Sequence, residues 1–213
     1  MFLIRNLKYK DILDIKKLTI ESGNIICLFG ASGSGKSTLL KMFNVMLTPD
    51  EGEINYKDTA ITALDPVQLR KEVVMLGQDP IVFEGTVRDN LLIGLRFSGK
   101  NEVEDQQLIS LMKKLHLNKE LEEDASNLSG GEQQRLAFGR VVLMDATVYL
   151  MDEPTSALDQ DTETAVMDYF TEFIKKNEKT AIMVTHSKEI ADRYSDRMIY
   201  MDEILTKAGE SYE

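Results

Sequence analysis

The sequence predicts an α/β fold built on a mostly parallel sheet. Short apolar runs bounded by turn signals occur at residues 25–29, 148–151 and 180–184, as in strands that are buried on both faces. Segments with the three- and four-residue apolar spacing of helices alternate with these runs. That alternation is typical of parallel strands that are connected by helices.

Each further element follows from its apolar pattern and its turn signals. The middle of the chain, roughly 85–145, is mostly helical in pattern and is expected to form a separate lobe. The other predicted strands are 2–7, 12–20, 73–76 and a last one around 199–200. The predicted helices are 37–47, 106–121, 132–144, 162–176 and 188–194.

Composition narrows the class of protein. The 213 residues are 43% hydrophobic and 29% charged, the mix of a soluble globular protein, and the net charge of −11 disfavours nucleic acid as a partner. No apolar run approaches the ~18–20 residues that cross a bilayer, and charges begin at Arg5, too early for a secretory signal. The single cysteine, Cys27, lies in an apolar run and is expected to be buried. These features predict a cytoplasmic location.

The strongest motif is the glycine-rich loop after the strand at 25–29. It reads G-A-S-G-S-G-K-S and fits the phosphate-binding pattern G-x-x-x-x-G-K-[ST]. In this pattern backbone N–H groups cradle the phosphates, Lys36 reaches the β- and γ-phosphates, and the Ser37 hydroxyl binds Mg²⁺. A plain Gly/Ser turn is the alternative, but a strand before the loop and a helix after it favour nucleotide binding. The predicted binding residues are Gly30, Ala31, Ser32, Gly33, Ser34, Gly35, Lys36, Ser37 and Thr38.

Two further motifs extend this site. The strand at 148–151 ends in Asp152 and Glu153, where a P-loop enzyme holds its second Mg²⁺ contact and orients or deprotonates the attacking water. The segment L-S-G-G-E-Q at 128–133 places a serine and two glycines at a helix start, which makes a second anion site. A simple helix cap is the alternative. Two chains packed head to tail have a use for such a site, because each loop then completes the other chain's nucleotide site.

The order of these motifs, with Gln78, S-A-L-D at 156–159 and His186, resembles an ATP-binding cassette (ABC) ATPase over essentially the whole chain. The resemblance implies a P-loop NTPase core with a mostly parallel sheet, an antiparallel β edge at the N-terminus and an inserted helical subdomain. One domain, 1–213, is expected, with its core at 1–84 and 146–213 and the helical signature subdomain at about 85–145. ATP and Mg²⁺ are the implied cofactors.

The resemblance also implies roles for single residues. Gln78 contacts Mg²⁺ and water, Asp152 is associated with Mg²⁺, Glu153 is the catalytic base, and His186 senses the γ-phosphate. The signature residues clasp the γ-phosphate of the partner chain, and the loop that ends in Asp159 communicates across the dimer. The signature residues are Ser129, Gly130, Gly131 and Glu132.

Two positions are less constrained by the motifs. Tyr9 is similar in position to the aromatic residue that stacks on adenine in this family; Phe2 and a purely structural core role for Tyr9 are the alternatives. His116 has no motif around it and is expected to be an ordinary helix residue.

The favoured function is the ATP-driven subunit of a membrane transporter, which dimerises with ATP and lies on the inner face of the membrane through a separately encoded permease. Soluble ABC ATPases that act on DNA or ribosomes are the alternative, but the coiled coil and the second cassette of such proteins are missing, and a nucleotide kinase leaves the signature unexplained. The segment from Gln78 to Asn90 is export-like, and with the polar segment 96–101 it is similar to the ATPases of Fet-type bacterial iron exporters. Amino-acid uptake, lipoprotein release and drug efflux are further alternatives.

Overall fold

The computed structural model describes residues 1–205 and divides them into strands, helices and two short 3₁₀ turns. The strands are β1 (Phe2–Tyr9), β2 (Leu13–Ile20), β3 (Ile25–Phe29), β4 (Glu51–Tyr56), β5 (Thr59–Ala60), β6 (Val73–Leu76), β7 (Val148–Asp152), β8 (Thr180–Val184) and β9 (Arg197–Tyr200). The helices are α1 (Lys36–Met42), α2 (Pro66–Glu72), α3 (Val87–Ser98), α4 (Asp105–Lys114), α5 (Gly130–Leu143), α6 (Gln160–Lys176), α7 (Lys188–Tyr194) and α8 (Met201–Ile204).

Two sheets organise these elements. The first is antiparallel, with the order β2-β1-β4-β5, and the second has the order β6-β7-β8-β3-β9. Every strand pair of the second sheet is parallel. The predicted α/β class, with a parallel sheet and an antiparallel β layer built from the N-terminal strands, is therefore confirmed.

The parallel sheet is buried on both faces because its side chains alternate between two hydrophobic clusters. Ile26 and Leu28 of β3 pack with the antiparallel sheet and α1. Ile25 and Cys27 point the other way, into a cluster that includes residues of α5, α6 and α7. Cys27 is fully buried, as its apolar surroundings predicted.

A third hydrophobic cluster holds the helical part of the chain together. It joins α3, α4 and the first half of α5, for example through Leu91, Leu108 and Leu136. Phe138, on the same helix α5, belongs instead to the cluster beneath the parallel sheet. Helix α5 therefore connects the helical part to the sheet. The boundaries at residues 85 and 145 stay a prediction.

Several helix ends differ from the predicted ones. The helices predicted at 37–47 and 106–121 end at Met42 and Lys114, and α2, β4 and β5 were not predicted. The expectation that His116 lies in a helix is wrong: it is exposed, with a left-handed φ of 54°, just after α4. The amide of Leu117 there donates to the carbonyl of Met112, the bond that closes a helix end in a Schellman motif.

The β1–β4 pairing yields a stability prediction at Gly52. Gly52 has a φ of 80°, and a Cβ atom there lies 2.1 Å from the Asn6 carbonyl oxygen, beside an irregularity in the pairing. Gly23 has a similar φ of 78° with open space around the Cβ position. Both Gly→Ala changes cost roughly 1–2 kcal/mol for the left-handed alanine. We expect Gly52→Ala to lose roughly a further 1–3 kcal/mol from the backbone clash. Equal urea-unfolding midpoints for the two variants would contradict this account.

Candidate functional site

The parallel sheet brings the predicted site residues to one edge. The loop after β3, Gln78 after β6, Glu153 after β7 and His186 after β8 all follow the carboxyl ends of neighbouring strands. They line one cleft of about 370 Å³. Its lining residues are Ile12, Ser32, Gly33, Gly35, Lys36, Ser37, Thr38, Gln78, Glu153, Val184 and His186.

The glycine-rich loop folds back on its own lysine. Lys36 is 5% exposed. Its ammonium group donates to the carbonyls of Gly30 and Ala31, at 2.9 and 2.8 Å. Gly33 and Gly35 have φ values of 80° and 88°, which glycine adopts without strain. A side chain at Gly35 has no room, because a Cβ atom there lies 2.6 Å from Leu13 Cδ2.

The loop is tied to the strand that carries the acidic pair. The Ser37 hydroxyl donates to Asp152 Oδ1 at 2.8 Å. Asp152 is 3% exposed, so a predicted Mg²⁺-binding hydroxyl and a predicted Mg²⁺-binding carboxylate already face each other in the interior. Gln78, the third predicted Mg²⁺ contact, is exposed and lines the same cleft.

Glu153 is buried in an unusual conformation. Its φ is 52°, a left-handed value that is uncommon for a residue other than glycine. His186 Nε2 lies 3.1 Å from Glu153 Oε1, within ion-pair distance, and Oε1 has no hydrogen-bond partner among residues 1–205. Burial raises the pKa of the Glu153 carboxyl, His186 opposes this, and the charge of Asp152 adds to it.

Comparison with known proteins agrees with this geometry. Residues 13–156 match the family model described as ABC transporter. The chain is 36% identical over 205 residues to the L-cystine import ATP-binding protein TcyN of Bacillus subtilis, covering 92% of this chain and 79% of that protein. The chain belongs to the ATP-binding subunits of ABC transporters. These subunits hydrolyse ATP, so the chain is an ATPase.

Other relatives of this ABC subunit differ in length. It is 36% identical to the energy-coupling factor transporter ATP-binding protein EcfA2 of Bacillus subtilis, covering 91% of this chain and 73% of that one. It is 34% identical to the transport/processing ATP-binding protein ComA of Streptococcus pneumoniae, but covers only 27% of it. Among solved structures, the dimeric ATP-binding cassette MJ0796 in a post-hydrolysis state, bound to ADP and Pi, matches with a TM-score of 0.83, 27% identity and 94% of each chain.

The signature segment of this ABC subunit lies away from the cleft of its own chain. Ser129 caps α5: its hydroxyl accepts from the Glu132 amide, and the Glu132 carboxylate accepts from the Ser129 amide at 2.8 Å. Ser129 and Gly130 are exposed, and within residues 1–205 the signature contributes no lining residue to the cleft. Ser129 and Gly130 are therefore accessible to another molecule.

Tyr9 and Asp159, like the signature residues, are not among the residues that line the cleft. Tyr9, at the end of β1, is partly buried against the core, and the exposed Ile12 lines the cleft instead. The hairpin turn puts Ile12 next to the glycine-rich loop, and the assignment of Tyr9 as the adenine contact stays a prediction. Asp159 caps α6 by accepting from the Thr162 amide at 3.0 Å, and this bond lowers the pKa of its carboxyl.

The groups at this edge fit a nucleotide and a hard cation. Ser34 Oγ and Glu153 Oε1 are both buried without a hydrogen-bond partner among the residues that the structure describes. The loop offers the curved backbone that phosphates require. The Ser37 hydroxyl, the Asp152 carboxylate and the Gln78 amide are oxygen ligands of the kind that Mg²⁺ prefers.

The burial of Glu153 predicts a pH-dependent gain in stability for Glu153→Gln. Because the folded-state pKa is raised above the ordinary 4.5, ionising Glu153 costs stability as the pH rises through the interval between the two values. The glutamine does not ionise. We therefore expect the nucleotide-free variant to melt above the wild type at neutral pH and this difference to shrink below about pH 4. Glu189→Gln makes the same change at an exposed position on α7 and serves as the control. A melting difference that is constant with pH would contradict the burial account.

Proposed function

We propose that this ATPase binds ATP with Mg²⁺ between two copies of the chain that are packed head to tail. The observation that carries the proposal is the separation within one chain: the glycine-rich loop and Glu153 line the cleft, whereas Ser129 and Gly130 are exposed outside it. A second copy supplies its signature to close the site. The dimeric form of the similar cassette MJ0796 supports this arrangement.

The chemistry assigned to the cleft is hydrolysis of the γ-phosphate. Bound Mg²⁺ supplies positive charge to the phosphates, and Ser37, Asp152 and Gln78 are the residues proposed to hold it. Glu153 takes a proton from the attacking water while the oxygen–phosphorus bond to the water forms and the bond to ADP breaks. Lys36 and His186 contact the γ-phosphate on which negative charge develops.

Coupling to transport requires a membrane partner. Among residues 1–205, no helix is both long enough and apolar enough to cross a membrane. We assign transport to a separately encoded permease that docks near residues 78–90, which places the chain on the cytoplasmic face of the membrane. TcyN and EcfA2 are both named as ATP-binding proteins, which supports a separate subunit.

Lys36 and Glu153 are predicted to have separable roles. Lys36→Ala removes a phosphate contact, so the affinity for ATP should fall. Glu153→Gln keeps the shape of the side chain without the base, so ATP binding should persist while kcat falls by about 10²–10⁴-fold. ATP should then trap Glu153→Gln as a dimer in light scattering, and ADP should not. Lys41→Ala, further along α1, serves as the control. Near-wild-type hydrolysis by Glu153→Gln removes Glu153 from its catalytic role.

We propose iron as the exported cargo, with the metal selected by the permease. The export-like segment that contains Phe83 and Asn90 and the polar segment 96–101 support this cargo. Amino-acid uptake is the second candidate, favoured by the similarity to the L-cystine import protein TcyN.

A deletion strain separates the two cargoes. We expect it to accumulate iron and to become sensitive to peroxide, and we expect the wild-type chain, but not Glu153→Gln, to reverse both effects. Metal analysis of the cells measures the first effect. If cellular iron is unchanged and the uptake of cystine is lost, the proposal of iron export is refuted in favour of amino-acid import. The assignment of the chain as an ATPase is unaffected by this result.

A further inference from the structure

Gln134 is a buried polar side chain that does not line the nucleotide cleft. It lies on α5, five residues after Ser129, and is 1% exposed. Its side chain leaves the signature helix and enters the turn after β7, which contains Glu153 and continues to Ala157. A buried amide costs stability unless its polar atoms are paired, so its contacts reveal what holds it there.

The amide of Gln134 is fully engaged with that turn. Its Nε2 donates to the Glu153 carbonyl at 3.0 Å and to Ser156 Oγ at 3.3 Å. Its Oε1 accepts from the Ala157 amide at 2.9 Å. These partners fix the orientation of the amide, since a flipped group places Oε1 against the Glu153 carbonyl and Nε2 against the Ala157 N–H.

The hydrogen bond from Gln134 to the Glu153 carbonyl contacts a backbone in a strained conformation. The left-handed φ of 52° at Glu153 costs free energy for a residue with a side chain, and such conformations persist when surrounding contacts hold them. The Glu153 amide donates to the Val184 carbonyl at 3.0 Å, and the Glu153 carbonyl accepts from Gln134. Both sides of the residue are thus anchored, one to β8 and one to α5.

We propose that Gln134 is a positioning residue that holds Glu153 in place for hydrolysis and ties it to the signature helix. The inference rests on the proposed composite site. In the proposed dimer, the signature at the start of α5 contacts the nucleotide of the partner chain. Gln134 therefore connects Glu153 of one nucleotide site to the signature that completes the other site. Gly131 lies close to the same turn, with its Cβ position 3.0 Å from the Ala157 carbonyl oxygen, so the helix start and the turn are in contact.

The test compares steady-state ATP hydrolysis of the full-length chain in matched variants. Gln134→Leu removes all three hydrogen bonds, and Gln134→Glu keeps the acceptor for Ala157 but loses the donor to Glu153. Gln107→Leu makes the same change at an exposed position on α4. We expect both Gln134 variants to lower kcat by about 10- to 100-fold, the scale of a small misplacement of a reacting group, with KM for ATP within about twofold of wild type.

A second measurement distinguishes positioning from general damage. In the Glu153→Gln background, adding Gln134→Leu should leave the ATP-trapped dimer intact, because the signature and the glycine-rich loop are unchanged. The inference is overturned if Gln134→Glu hydrolyses ATP like Gln107→Leu, if KM rises as much as kcat falls, or if the ATP-trapped dimer is lost. A Gln134→Leu chain that does not fold leaves Gln134→Glu to decide. A wild-type chain that does not dimerise with ATP refutes the composite site itself, a separate result.

Discussion

The parallel pairing of the central strands is the constraint on which the nucleotide site depends. Parallel strands have their carboxyl ends at the same edge, so the residues that follow them converge without any further device. The order β6-β7-β8-β3 places Gln78, Glu153, His186 and the loop that holds Lys36 side by side. The sheet can be parallel because helices and a second sheet bury both of its faces. Burial of both faces of the sheet therefore permits the parallel pairing that gathers the site residues at one edge.

Helix α5 is the second constraint, because it belongs to two hydrophobic clusters and carries three kinds of contact. Its start presents Ser129 outward, Gln134 holds the backbone of Glu153, and Arg140 donates to the carbonyls of Asn90 and Ile81 at 2.8 and 2.9 Å. Burial lowers the pKa of Arg140 to about 10. One helix thus begins at the signature, contacts the backbone of Glu153 and contacts the segment that contains Ile81 and Asn90. The left-handed φ of Glu153 and its buried Oε1, which has no hydrogen-bond partner among residues 1–205, both cost folding free energy.

Much of this architecture could be predicted from the sequence because it is encoded locally, in short apolar runs and in motifs. Strands β6 and β8 and helix α7 were predicted to the residue, and the loop and the acidic pair were predicted from motifs that prescribe their own geometry. The features that the sequence did not predict depend on contacts between residues that are distant in sequence. The early end of α4 depends on packing of Leu117 in the helical cluster, and the place of Ile12 beside the loop depends on the fold of a hairpin. Gln134 lies beside the signature in sequence, but only the folded turn reveals its partners.

The central claim is that each chain lends its signature to the other chain's cleft. It is tested most directly by cross-linking between chains with Cys27 replaced by serine in a Glu153→Gln background. One chain carries Ser32→Cys in the exposed part of the glycine-rich loop, and the other carries Asn127→Cys just before the signature. The account predicts that a short cross-linker joins the two chains with ATP and Mg²⁺ and not with ADP. Cross-linking between two Asn127→Cys chains instead, or cross-linking that is indifferent to nucleotide, would contradict it.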